Sequence, residues 1–229
     1  MDAKVTSPLE TVHSRVALDR DERQVKDAIL RMASLVETQI RQSMRSLVDR
    51  DPILAMEVIE TDARVNEAQR TVTDAVAMTI ATQSPVARDL RFLLALNHVA
   101  SELERIGDHA TSVAKQVRRL ADEPPIPGLV QVGRMGSVAA DLVRGILDAL
   151  IDVDETKARA VAKRDDEIDH LYREVFTSTV AAMQADPAAV EQGTRVILAA
   201  HWIERIGDRV TNIAEDVVYL ASGQVEDLN

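Results

Sequence analysis

Apolar residues recur every three or four positions from Arg20 onward. Ile29, Met32, Ala33, Val36, Ile40, Met44 and Leu47 mark one face of a first helix. Asp49-Arg50-Asp51-Pro52 breaks the pattern, and Pro52 suits the first turn of a second helix. That helix carries the stripe Ala55, Val58, Ile59, Val65, Ala68, Val72, Ala75 and Ile80, and Ser84-Pro85 ends it. A third helix follows with Leu90, Leu93, Leu96, Val99, Leu103, Ile106, Ala110, Val113, Val117 and Leu120. Three prolines and a glycine between Asp122 and Gly128 forbid helix interior there, and beyond them the pattern starts again. The second round has breaks near Asp152–Glu155 and at Asp186-Pro187, which gives helices of about 25, 25 and 30 residues, roughly 35–45 Å long.

The second round repeats the first. Shifted by 103 residues, Arg31-Met32-Ala33-Ser34 lies on Arg134-Met135-Gly136-Ser137, Asp51 on Asp154, Val58 on Val161 and Asp62 on Asp165. Shifted by 100, Glu104-Arg105-Ile106-Gly107-Asp108 lies on the identical pentapeptide Glu204 to Asp208. The three-residue change of register falls around the second loop, where length varies freely. The pattern predicts an all-α chain of two tandem, pseudo-symmetric three-helix bundles, six long antiparallel helices in all. The expected boundaries are a flexible leader over 1–19, a first bundle over 20–121, a linker over 122–128, a second bundle over 129–222 and a tail over 223–229.

Composition narrows the functions. The net charge of −11 over 229 residues disfavours a nucleic-acid role, since such a surface repels phosphate backbones. There is no cysteine, so disulfides, thiolate metal sites and cysteine nucleophiles are excluded, which fits a cytoplasmic location. Neither a signal-type apolar core near the N-terminus nor a run of membrane-spanning length is present, so membrane association is expected only through partners. No Gly-rich phosphate loop follows a strand, and no Ser-His-Asp set is recognisable, so no catalytic residues are assigned.

The chemistry that remains is carboxylate chemistry. Glu104 and Asp108, and Glu204 and Asp208, stand four residues apart on one side of their helices. With Leu103, Ile106, Ala110, Val113 and Val117 as the buried seam, both acids fall on the outer face. Asp62 with Asn66, and Asp165 with Asp169, flank the second helices at matching places. Each unit is therefore expected to gather two polar pairs on its outside, as a solvated charged face or as an oxygen-only site for a hard cation. Gly107 and Gly207 cost helix stability, about 0.8–1.0 kcal/mol each, so close packing or ligand approach must require them. His201 shares a face with Glu204 but has Ser101 at its counterpart, so it reads as a solvent-facing histidine. Trp202 reads as a packing residue, and Arg105 and Arg205 as partners for acids on a neighbouring helix.

Ser84-Pro85-Val86-Ala87-Arg88-Asp89-Leu90-Arg91, with Glu102-Leu103-Glu104-Arg105-Ile106-Gly107-Asp108-His109-Ala110, resembles the PhoU family. Ile203 to Asp208 and Asn212-Ile213-Ala214-Glu215 repeat the resemblance in the second half. It implies a cytoplasmic accessory protein of high-affinity phosphate uptake that holds phosphate-starvation signalling off, bridging the ATPase subunit of the phosphate ABC transporter to a sensor histidine kinase. A homodimer is expected from the long exposed helix faces. The resemblance also implies surface metal ions, iron or zinc, at Asp62, Asn66, Glu104 and Asp108 and at Asp165, Asp169, Glu204 and Asp208. Mg²⁺ or Ca²⁺ would suit the same oxygens, and no cofactor is required. Asp89, Arg91, Arg105 and Arg205 are the residues assigned to partner contact. Asn66 weakens the first metal set, and Asp89-Leu90-Arg91 has no counterpart in the second half. The alternative function is a metal-dependent helical-bundle enzyme or a metal store, with a purely structural adaptor as the third.

Overall fold

The computed structural model describes residues 8–120 and 127–228. Described residues are helical almost throughout, in the order α1 (Pro8–Asp49), α2 (Pro52–Gln83), α3 (Ala87–Leu120), α4 (Leu129–Asp152), α5 (Glu155–Ala162), α6 (Asp165–Ala185) and α7 (Val190–Ser222). A single 3₁₀ turn, Pro187–Ala189, precedes α7. The chain is all-α, as its periodicity predicts, with α1–α3 forming one bundle and α4–α7 the other.

The breaks are built twice from the same parts. Arg50 and Val153 take left-handed backbone (φ 52° and 51°), and Asp51 and Asp154 then cap α2 and α5 by accepting backbone N–H groups. Those two caps are 103 residues apart, the register of the repeat. Two features differ from expectation. α1 begins at Pro8, so residues 8–19 are helix rather than leader; Leu18 is buried, and Arg15 reaches Asp89 of α3 at 2.6 Å. The fifth expected helix is split at Lys163-Arg164 into α5 and α6. Residues 1–7 and 122–126 of the expected leader and linker lie outside the described residues.

α3 and α7 pack antiparallel and join the two bundles. His98 Nδ1 meets Asp216 Oδ2 at 2.7 Å, and Glu102 Oε2 accepts from Asn212 at 3.0 Å and from Arg209 at 3.4 Å. Glu102 is only 2% exposed, so these partners are what make its burial tolerable. Where the first half puts Glu102 against Arg209, the repeat puts Trp202 against His109, stacked with centroids 5.4 Å apart. An ion pair on one side of the pseudo-twofold axis is thus an aromatic stack on the other. Burial and the neighbouring Arg209 and Arg205 depress the His109 pKa to about 4, so the stacked ring is neutral at pH 7. α1 and α4 close the opposite side, with Glu37 accepting from Arg144 at 2.6 Å and Met44 lying against Gly136.

Candidate metal centre

The seam of α3 puts Leu103, Ile106, Ala110, Val113 and Val117 fully inside, and α7 does the same with Ile203, Ile206, Val210, Ile213 and Val217. Glu104 and Glu204 are left half-buried at the helix flank, facing α2 and α6 respectively. The two settings match: both glutamates lie above the ordinary carboxylate range, first through burial and then through the neighbouring Asp108 or Asp208.

In the first bundle the cluster is partly satisfied. Asp62 Oδ1 accepts from Thr111 Oγ1 at 3.0 Å, and Thr111 in turn accepts from the buried Gln39 amide at 2.9 Å. Asp108 is raised by burial, then by Asp62, with which it also shares a hydrogen bond, while Lys115 opposes the shift. Asn66 is half-buried on the same stretch of α2.

The second bundle lacks that relay. Leu142 stands where Gln39 stands in the first repeat, and Thr211, the counterpart of Thr111, is buried with no hydrogen-bond partner. Asp165 instead lies directly over Gly207, where a methyl group would collide with its Oδ1. That is why this helix accepts a glycine. Gly107 plays the milder version, making room for Gln39 and Val65.

Asp165 Oδ1 and Glu204 Oε2 are both buried without a hydrogen-bond partner, although Glu204 Oε2 lies 3.5 Å from His201 and 3.6 Å from Arg205. Asp165 opens α6, where the helix dipole favours negative charge. Its pKa is nevertheless pushed up to about 7, by burial first and then by Asp169, Asp208, Glu204 and Asp166. The unpartnered oxygen of Asp165 and the all-oxygen character of the donors are of the chemistry that suits a hard cation. Among the described residues, however, no three His, Asp or Glu side chains are grouped so that they could hold a metal ion as they stand.

A family model described as PhoU domain matches residues 29–117 and 132–217, one match in each bundle. The chain belongs to the PhoU family. It is 34% identical over 217 residues to the phosphate-specific transport system accessory protein PhoU homolog of Clostridium acetobutylicum, covering 94% of this chain and 99% of that one. The crystal structure of PhoU from Pseudomonas aeruginosa superposes with a TM-score of 0.87 at 34% identity, covering 90% of this chain and 99% of that one. The phosphate transport system regulatory protein PhoU from Streptococcus pneumoniae gives 0.86 at 26% identity, with 92% and 99% covered.

Within this PhoU fold the structure shows the residues assigned to partner contact only in their settings inside the chain. Asp89 is tied to Arg15 inside the chain, and Arg91 is exposed. Both line an open cavity of about 560 Å³ with Arg15, Glu22 and Arg88. Arg105 and Arg205 do not reach across to acids of another helix. Arg105 pairs with Glu102 at 3.5 Å, and Arg205 with Asp208 at 2.8 Å and with Glu204 at 3.6 Å, each within its own helix. His201 is less open than expected, being held between Tyr172 and Trp202. The Gln39–Thr111–Asp62 relay escapes sequence reasoning because its members are separated by 72 and 49 residues.

Proposed function

We propose that this chain is a non-enzymatic accessory regulator of phosphate uptake. It would act as a cytoplasmic homodimer that binds the ATPase subunit of the phosphate transporter and a sensor histidine kinase, and so keeps starvation signalling off when phosphate is plentiful. The observation that carries the reading is family membership in both halves, among relatives named as phosphate-specific transport system accessory proteins. No described helix is long and apolar enough to cross a membrane, so partners would bring the chain to one. Purified chain mixed with the ATPase subunit and with the kinase's cytoplasmic portion should co-elute with each on gel filtration. Deleting the gene should raise starvation-gene expression in phosphate-rich medium. Failure to bind either protein, together with unchanged expression, rejects the proposal.

We also propose a hard or borderline cation, iron, zinc, Mg²⁺ or Ca²⁺, at Asp165, Asp169, Glu204 and Asp208. A weaker site would lie at Asp62, Asn66, Glu104 and Asp108. The unpartnered buried oxygen of Asp165 favours this reading. The cation would supply charge neutralisation between α6 and α7. Gly207→Ala separates this role from simple packing. Its helix propensity gains about 0.8–1.0 kcal/mol, while Asp165 must swing outward. Thermal stability of the metal-free protein should change by less than about 1 kcal/mol, and cation affinity by calorimetry should fall about tenfold or more. Unchanged affinity would remove Asp165 from the site.

A further inference from the structure

At the end of the molecule where α3 begins, the two bundles leave an open cavity of about 560 Å³ between them. α1 supplies Arg15 and Glu22 to its wall, and the start of α3 supplies Arg88, Asp89, Arg91 and Phe92. The second bundle closes it with Val153, from the turn between α4 and α5, and with Leu220, from the last turn of α7. A cavity of this size falls in the range of about 300–1,000 Å³ that small organic ligands occupy, well beyond what a bare oxyanion fills.

The charges in the wall do not cancel. Arg15 is already engaged, holding Asp89 at 2.6 Å and Asp19 at 2.8 Å. Arg88 and Arg91 stand three residues apart on α3, so their side chains are neighbours. Among the described residues neither side chain has an ion pair or a hydrogen bond. Glu22 is the one acid of the wall left to oppose them. Its carboxyl lies above the ordinary value, through burial first and then through Asp89, so it ionises less readily than an open glutamate. Two free guanidinium groups against that one carboxyl make a positive spot on a chain of net charge −11. The start of α3 adds to the field, because Val86 before it has no side-chain acceptor for the first N–H groups. Folding does not call for these arginines. In the register of 100 that relates α3 to α7, Arg88 answers to Ala188 and Arg91 to Glu191. The second copy thus begins its long helix with no cation at either place.

We propose that this cavity binds a small organic molecule with a dianionic head group, a phosphate monoester or a dicarboxylate. Arg88 and Arg91 hold the head group, since the planar guanidinium fork matches phosphate and carboxylate oxygens in pairs. The apolar remainder of the molecule lies against Phe92, Val153 and Leu220. Those three side chains come from both bundles, so the bound molecule bridges them. Neither the cation nor the partner proteins proposed above take part, and their failure would leave this site standing.

Isothermal calorimetry on the metal-free, full-length protein tests the site, in buffer free of chelator and phosphate. The probes are phenyl phosphate and phenylmalonate, which share a ring and two charges and differ in the anionic group. At least one should bind with one-to-one stoichiometry, and the tighter of the two identifies the head group. Inorganic phosphate and malonate, the same anions without the ring, should bind about tenfold more weakly. Arg88→Gln and Arg91→Gln should each weaken the tighter probe by about tenfold. Arg118→Gln removes an exposed cation from the other end of α3 and should bind as the wild type does. Circular dichroism confirms that all three variants are folded. Failure of both probes to bind the wild type overturns the inference, as does equal affinity for the ring-free anions. Wild-type affinity in either cavity variant overturns it as well, and so does an equal loss in Arg118→Gln.

Discussion

Asp165→Asn should stabilise the metal-free protein at pH 8, and the gain should vanish as the pH is lowered to about 4. The Asp165 carboxyl has its pKa pushed up to about 7 in the folded chain, against the ordinary aspartate value of 3.8. Between those values the folded protein holds a proton that the unfolded chain releases, so stability falls as pH rises through the window. The destabilisation is absent below about 4 and complete above about 7. A displacement of that size corresponds to about 4 kcal/mol at most. Asp165 is partly open to solvent, and screening brings the figure nearer 2 kcal/mol. Asparagine also forfeits the favourable charge at the start of α6, about 0.3–1 kcal/mol. A net gain of about 1–2 kcal/mol remains, and urea unfolding in EDTA at pH 4.5 and pH 8 measures it. Asp216, raised to about 6 chiefly by burial, and Glu204, also raised, push in the same direction, so the variant should flatten the pH dependence without abolishing it. Equal gains at both pH values would show that Asp165 is an ordinary surface carboxylate.

The same residue shows where sequence reasoning reaches and where it stops. The Asp62–Asp165 equivalence follows from a register of 103, and the outward phase of Glu104 and Glu204 from the apolar seam beside them. Both are local patterns, readable from spacing alone. The turns are legible too, because Asp51 and Asp154 are side chains that cap helices whatever packs against them. The split between α5 and α6 is not, since Lys163-Arg164 contains neither Gly nor Pro. The available signal is the acid run Asp165-Asp166-Glu167, the composition of a first helical turn. Gly207 shows a different limit. Its cost announces that something approaches closely, but only the tertiary structure identifies the carboxylate of Asp165 as what does. The extension of α1 back to Pro8 likewise depends on contacts such as Arg15 with Asp89, 74 residues away.

Ile106→Ala and Ile206→Ala should each cost about 2–5 kcal/mol, the largest single-residue losses expected here. Both side chains are completely buried, each at the centre of one copy of the repeated pentapeptide. The transfer contribution is the same at both places, so any difference reports how far each surrounding core can collapse. The two costs should agree within about 1 kcal/mol if the bundles are packed alike. The double variant asks a further question. Glu102 is level with Arg209 and His109 with Trp202, which puts Ile106 and Ile206 level with each other at the middle of the α3–α7 seam. Two alanines there let the helices approach and close part of the space that either change alone leaves open. The double variant should therefore cost less than the sum of the singles by more than about 0.5 kcal/mol, the limit within which independent sites add. Strict additivity in urea unfolding would instead assign the two isoleucines to separate cores, and the seam would then be held chiefly by its polar and aromatic pairs.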